Sequence, residues 1–301
     1  RSWAKTQLTA QYVKEIQPLY LIIDEYDNFT NIVLSEHGEA IYHNMTHASG
    51  FYREVFKKFK GMFERIFLTG VSPVTPDDLK SGFNIGWNVS MEPELDKMLE
   101  FSSEDVRQMF TYYKEAGQLP ADSDIEAMIT EMKPWYDNYC FAKECLESDV
   151  RVFNCDMVLY YLRNYISYKH SPEIMLDPNT KTDYKKLNML IQLDKLDGNR
   201  HGVMMEIIEK GEIAATLVPS FSANEMTDPE TFPSLLFYYG MLTIKGKYGS
   251  MLSLGIPNNN VRMQYYNYIL KQYAQYKIVN VNKLQIAFVK MSLDGLWQEP
   301  L

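Results

Sequence analysis

Two carboxylates stand side by side at the end of an apolar run, Leu19-Tyr20-Leu21-Ile22-Ile23-Asp24-Glu25. An unbroken run of this kind suits a strand buried on both faces, as in a parallel sheet covered by helices. Such a strand delivers its acids at the carboxyl end, where ligands bind in open α/β sheets. There Asp24 can hold a magnesium ion, directly or through water, and Glu25 can polarise an attacking water. A buried strand with a polar exit has the same residues, so the run alone leaves both readings open. Asp27 adds a third carboxylate; it stands either behind the first two or in water, and the second is the expectation.

About forty residues on, Ile66-Phe67-Leu68-Thr69-Gly70-Val71-Ser72 repeats the pattern of a buried strand with a polar end. Thr69 or Ser72 could there sense a γ-phosphate and orient the water, or could simply satisfy a turn. Between the two strands, Phe51, Val55, Phe56, Phe59, Met62 and Phe63 mark an amphipathic helix. Strand, helix and strand in this order predict a right-handed parallel crossover. The apolar run ending in Asp-Glu is the form of the second nucleotide-binding motif of P-loop ATPases, and the second strand strengthens that reading. A helix over residues 2–17, closed by Pro18, and a third short strand through Trp87-Asn88-Val89-Ser90 complete the expected α/β region.

The rest of the chain limits the alternatives. Its 301 residues are 46% hydrophobic and 23% charged, the composition of a folded protein with room for more than one domain. A net charge of −9 gives no overall basic footprint for nucleic acid. No apolar run approaches the ~20 residues that span a bilayer. Cys140, Cys145 and Cys155 are odd in number and lack CxxC spacing, so reduced thiols in a cytoplasmic protein are expected. His43 and His47 lie four apart with His37 nearby, but there is no HExxH, and polar residues of a loop and helix start are the expected reading.

Beyond residue 100 the pattern turns helical. Ser102 and Asp105 form a capping box, with Phe101 and Val106 at the staple positions. A second box, Ser123 and Glu126, opens a helix with Ile125, Met128, Ile129 and Met132 on one face. A tyrosine-rich helix covers 156–168 and another is expected near 183–193, while 194–230 is ambiguous. Trp135-Tyr136-Asp137-Asn138-Tyr139-Cys140-Phe141 reads as a tight aromatic turn, with Asn138 suited to a left-handed backbone. A helix from Phe232 to Tyr239 ends at Gly240, strands Met241–Ile244 and Met251–Ile256 flank a Gly246–Gly249 turn, and Asn258 to Asn260 cap a helix containing Val261, Tyr265 and Ile269.

These stretches together resemble the AAA-ATPase-like family, bacterial proteins whose ATPase region is commonly followed by a PD-(D/E)XK nuclease-like domain. The resemblance is carried by Leu21–Asp27, Phe67–Ser72, Asn88–Glu94 with Leu99–Val106, and Trp135–Phe141 leading to Val152-Phe153-Asn154, in order along residues 15–275. It implies ATP and magnesium as cofactors, with Asp24 on the metal, Glu25 activating water, Thr69 sensing phosphate and Ser72 beside the nucleotide. The implied fold is α/β: a partial P-loop parallel sheet with flanking helices over 1–100, a helical lid over 101–230, and a winged-helix-like α+β module over 231–301. Two features depart from the family. No stretch reads GxxxxGK[ST], and no nuclease-like domain is present, so nucleic acid would be reached only through that absent domain. Asn138 also stands where the family usually has Gly.

Three functions compete on this basis. The first is an ATPase region seen without its phosphate loop, which a longer gene product is expected to supply upstream. Because that loop provides most of the grip on phosphates, these 301 residues alone are not expected to hydrolyse ATP. The second is a regulatory or interaction module that keeps the fold, with a protein partner or a second copy of itself. A nuclease ranks last, because Asp24, Glu25 and Asp27 have no E-x-K partner. No membrane association is expected.

Overall fold

Strand β1 (Tyr20–Ile23) and strand β2 (Arg65–Leu68) pair in parallel, with Ile22 opposite Phe67 and Ile23 opposite Leu68. The computed structural model describes residues 19–28, 55, 58, 59, 62–71, 74, 75, 87–148, 151–177, 200–222, 230–275, 280, 282, 283 and 286. Helical residues 55, 58 and 59 precede β2, where the amphipathic pattern predicts a helix. The helices expected over 2–17 and 183–193, and His37, His43, His47 and Ser72, lie outside the described residues.

The strand pair is not buried on both faces. Leu21, Ile23, Ile66 and Leu68 are half-buried, whereas Tyr20, Ile22 and Phe67 are exposed, Ile22 at 73%. An unbroken apolar run does not report how many faces are covered, and here the exposure alternates with the period of a strand. The stretch Trp87 to Ser90 is not a strand either. Asn88 Oδ1 accepts from the Ser90 amide, a local turn that competes with extended pairing, and Asn88 Nδ2 donates to the Pro219 carbonyl. Two short strands that the sequence did not reveal, β3 (Val74–Thr75) and β7 (Phe221–Ser222), pair in parallel instead.

Six α-helices stand among the described residues, with small sheets between them, in a mixed α/β arrangement. Helix α1 (Ser103–Glu115) starts at the predicted box: Ser102 Oγ accepts from the Asp105 amide and Asp105 Oδ2 from the Ser102 amide. Helix α2 (Ile125–Tyr136) starts differently. Asp124 is the cap, accepting from the Ala127 amide, and Ser123 is displaced by one position. Glu126 is drawn out of a box by Arg107 on α1, which holds its carboxyl below the ordinary range. A carboxylate one residue nearer the helix outcompetes a hydroxyl for the free amides. The apolar face of α2 is as expected, with Met128, Ile129 and Met132 buried.

Helix α3 (Cys155–Tyr168) is capped by Asn154. It follows the antiparallel pair of β4 (Phe101–Ser102) with β5 (Val152–Phe153). Helices α1 to α3 enclose one core, centred on Val106, Phe110, Met132, Tyr136, Phe153 and Tyr161.

The ambiguous stretch resolves into helix α4 (Arg200–Lys210) and strand β6 (Glu212–Ala215), joined at Gly211. Buried helix α5 (Phe232–Tyr238) ends near Gly240 as predicted. Strands β8 (Thr243–Tyr248) and β9 (Met251–Gly255) form the hairpin, but its turn is the shorter Gly249-Ser250, and Gly246 sits inside β8 beside a register shift. The sheet order is β6-β9-β8. Asn258 Oδ1 caps helix α6 (Asn259–Gln275) by accepting from the Val261 amide. These elements enclose a second core around Ile207, Phe232, Leu236, Ile244, Leu254 and Tyr265.

Candidate functional site

The parallel ladder of β1 and β2 continues past both strands. The Thr69 amide donates to the Ile23 carbonyl at 2.9 Å, and the Tyr26 amide to the Thr69 carbonyl at 2.9 Å. Extending the register of Ile23 opposite Leu68 sets Asp24 opposite Thr69 on the same face. Their side chains meet: Thr69 Oγ1 donates to Asp24 Oδ1 at 2.5 Å. The same oxygen accepts from the Glu25 amide at 3.0 Å. Asp24 is exposed, and among the described residues its Oδ2 accepts no hydrogen bond. One free carboxylate oxygen at a strand end suits a hard divalent cation that keeps waters and shares its remaining positions with phosphates.

Glu25 turns the chain sharply. Its φ of 52° is left-handed, a region that non-glycine residues rarely adopt. The carboxylate is exposed and its Oε2 accepts from Asn28 Nδ2 at 3.0 Å. Glu25 therefore leaves the strand direction at Asp24 and stands beside it, free to reach a water or a ligand after releasing Asn28.

Asp27 corrects an expectation. It does not face water but is 2% exposed, and its Oδ1 accepts from the Val71 amide at 3.2 Å. Neighbouring Gly70 allows this: a Cβ there would lie 2.5 Å from Asp27 Oδ1 and 2.7 Å from the Tyr26 ring. Residue type and spacing could not reveal the burial of Asp27; the nearest signal was a glycine directly after Thr69 at the end of the second strand.

Asp24, Glu25, Asp27 and Thr69 are thus brought together, while Ser72 lies outside the described residues. Among the described residues no group of three or more His, Cys, Asp or Glu could hold a metal by itself. A cation here would draw on Asp24 and on ligands beyond the described residues. A cavity of about 210 Å³ opens elsewhere, lined by Glu209, Lys210, Arg262 and Tyr265, and includes none of these residues.

Residues 3–80 match the model of the AAA-ATPase-like family, described as a predicted AAA-ATPase. The matched segment carries both strands and the four gathered side chains. No curated protein and no solved structure matches the chain. Among the described residues no helix is long and apolar enough to cross a membrane.

Proposed function

We propose that this chain is the ATPase region of a cytoplasmic AAA-like protein and supplies the magnesium and water end of an ATP site. The observation that carries the reading is the meeting of Asp24 and Thr69 across two parallel strand ends, within the segment that matches the family. Asp24 holds magnesium, Glu25 takes the proton of the attacking water, and Thr69, with Ser72 after it, faces the phosphate side. Magnesium, when bound, neutralises charge that develops on the phosphates. The left-handed backbone at Glu25 supports a functional role, since strain of this kind concentrates at active sites.

The finer architecture belongs to the same proposal. Strands β1 and β2 are two members of a P-loop-type sheet, and residues 101–230 form a helical lid. Residues 231–301 form a winged-helix-like module, which the order of helix α5, hairpin β8–β9 and helix α6 supports. The chain itself contains no GxxxxGK[ST].

The test is magnesium-dependent ATP hydrolysis by the full gene product. Glu25→Gln is expected to lower kcat by at least about 100-fold, the lower range for loss of a general base, while ATP still binds. Asp24→Asn is expected to abolish the magnesium dependence. Hydrolysis at the wild-type rate in Glu25→Gln would overturn the assignment. Binding of neither ATP nor magnesium by the wild type would favour a fold kept for protein contacts.

A further inference from the structure

We propose that Asp27 is a positioning residue for this site: it fastens the Thr69–Val71 turn so that the Thr69 hydroxyl occupies one oxygen of Asp24 and leaves the other for a divalent cation. This rests on the reading of Asp24 as the cation ligand. A carboxylate buried to 2% exposure needs donors to replace its lost hydration. Asp27 takes one of them, the Val71 amide, from the far strand exit, 44 residues away in sequence. The Tyr26 ring and the Asp27 carboxylate together fill the space over Gly70, which only a residue without Cβ leaves open.

The result is a clamp with Thr69 at its centre. The Thr69 amide is held by Ile23, its carbonyl by the Tyr26 amide, and the turn beyond it by Asp27. So bracketed, the hydroxyl of Thr69 is aimed at Asp24 Oδ1, which also receives the Glu25 amide. Two donors on Oδ1 fix the plane of the carboxylate and leave Oδ2 as its open acceptor among the described residues. Thr69 therefore acts on the cation through Asp24, and Asp27 acts through Thr69. Partners of this kind orient a ligating carboxylate, and their loss typically weakens metal binding or activity about 10–100-fold.

The experiment measures Mn²⁺ binding to the full gene product by electron paramagnetic resonance with ATP present, beside thermal melting. Asp27→Ala is expected to raise the Mn²⁺ Kd about tenfold or more. Asp27→Asn, which keeps an acceptor for the Val71 amide, recovers most of that loss. Gly70→Ala behaves like Asp27→Ala, because its Cβ displaces the carboxylate. A melting temperature lowered by Asp27→Ala with the Mn²⁺ Kd unmoved would show a purely structural role and overturn the inference. Where Asp27→Ala does not fold, Thr69→Val carries the same test: an unmoved Mn²⁺ Kd overturns it. The clamp is also checked without metal, since Thr69→Val and Asp27→Ala are expected to shift melting non-additively, and additive shifts count against it. Wild-type protein that binds no Mn²⁺ in the presence of ATP removes the reading of Asp24 and this inference with it. Normal wild-type binding with unmoved variants removes only the role of Asp27.

Discussion

A glutamate held at φ 52° is a local conflict between backbone and side chain. The left-handed conformation costs an L-residue roughly 1–2 kcal/mol, and glycine pays almost none of it. The bonds that Glu25 makes in return, its carbonyl with the Asn28 amide and its carboxylate with Asn28 Nδ2, lie on an exposed turn and add little. Glu25→Gly is therefore expected to raise stability by about 1 kcal/mol, seen as a higher melting temperature, while removing the carboxylate proposed to take the proton of the attacking water. A lower melting temperature would mean that the Asn28 contacts outweigh the strain. At this scale the two polar strand exits were legible, because two apolar runs end in polar residues; that Thr69 meets Asp24 was not. Nor was the burial of Asp27, because nothing in a lone acid's type distinguishes a buried acceptor from a surface charge until the Val71 amide and the space over Gly70 are placed against it.

Glu100 ties two elements together, the start of β4 and the first turn of α3, where its Oε2 accepts from the Cys155 amide at 2.8 Å. Burial pushes its carboxyl up to about 7 against that bond's opposing pull, with Asp156 adding to the rise. The unfolded chain has the ordinary value near 4.5. Between these two values the folded state holds a proton that the unfolded state has released. The stabilising contribution is thus complete below pH 4.5, falls as pH rises toward 7, and is gone above it. Glu100→Gln keeps an acceptor for the Cys155 amide without the buried charge. It is expected to match the wild type near pH 4.5 and to exceed it at pH 8 by about 1–3 kcal/mol. Melting curves at the two pH values check this, and a variant weaker than the wild type at pH 8 would refute the buried-charge account. Other elements were legible where local chemistry decides alone, as in the capping box of Ser102 with Asp105. They were not where neighbours compete. Asp124 displaced Ser123 as a cap, the Asn88 turn replaced a strand, and the β3–β7 pair joins segments far apart in sequence with only two residues each. The hairpin was foreseen, but its turn shifted because Gly249 carries the positive φ (62°), whereas Gly246 does not.

The described residues hold two apolar cores that adjoin along a short seam. Tyr136 and Phe153 belong to the helical core, while Tyr139, Cys140 and Val152 belong to the core around the three-stranded sheet. Asn138, at φ 81°, turns the chain from one core to the other, and Asn258 Nδ2 ties the seam to α6 through the Asp137 carbonyl. The sheet is fastened to the seam by Thr243, fully buried, whose Oγ1 accepts from the Cys140 amide at 2.8 Å and donates to the Cys140 carbonyl at 3.2 Å. Thr243→Val keeps the shape but leaves the Cys140 amide without that acceptor, a loss of about 1–3 kcal/mol. Each core has its own buried side chains, so the loss is expected to fall on one side of the seam first. Amides of β8 and β9 then exchange hydrogen sooner in Thr243→Val, while those of α1 and α2 keep their wild-type protection. Equal loss of protection in the sheet and in the helices would show instead that the seam transmits the damage and that both cores unfold as one unit.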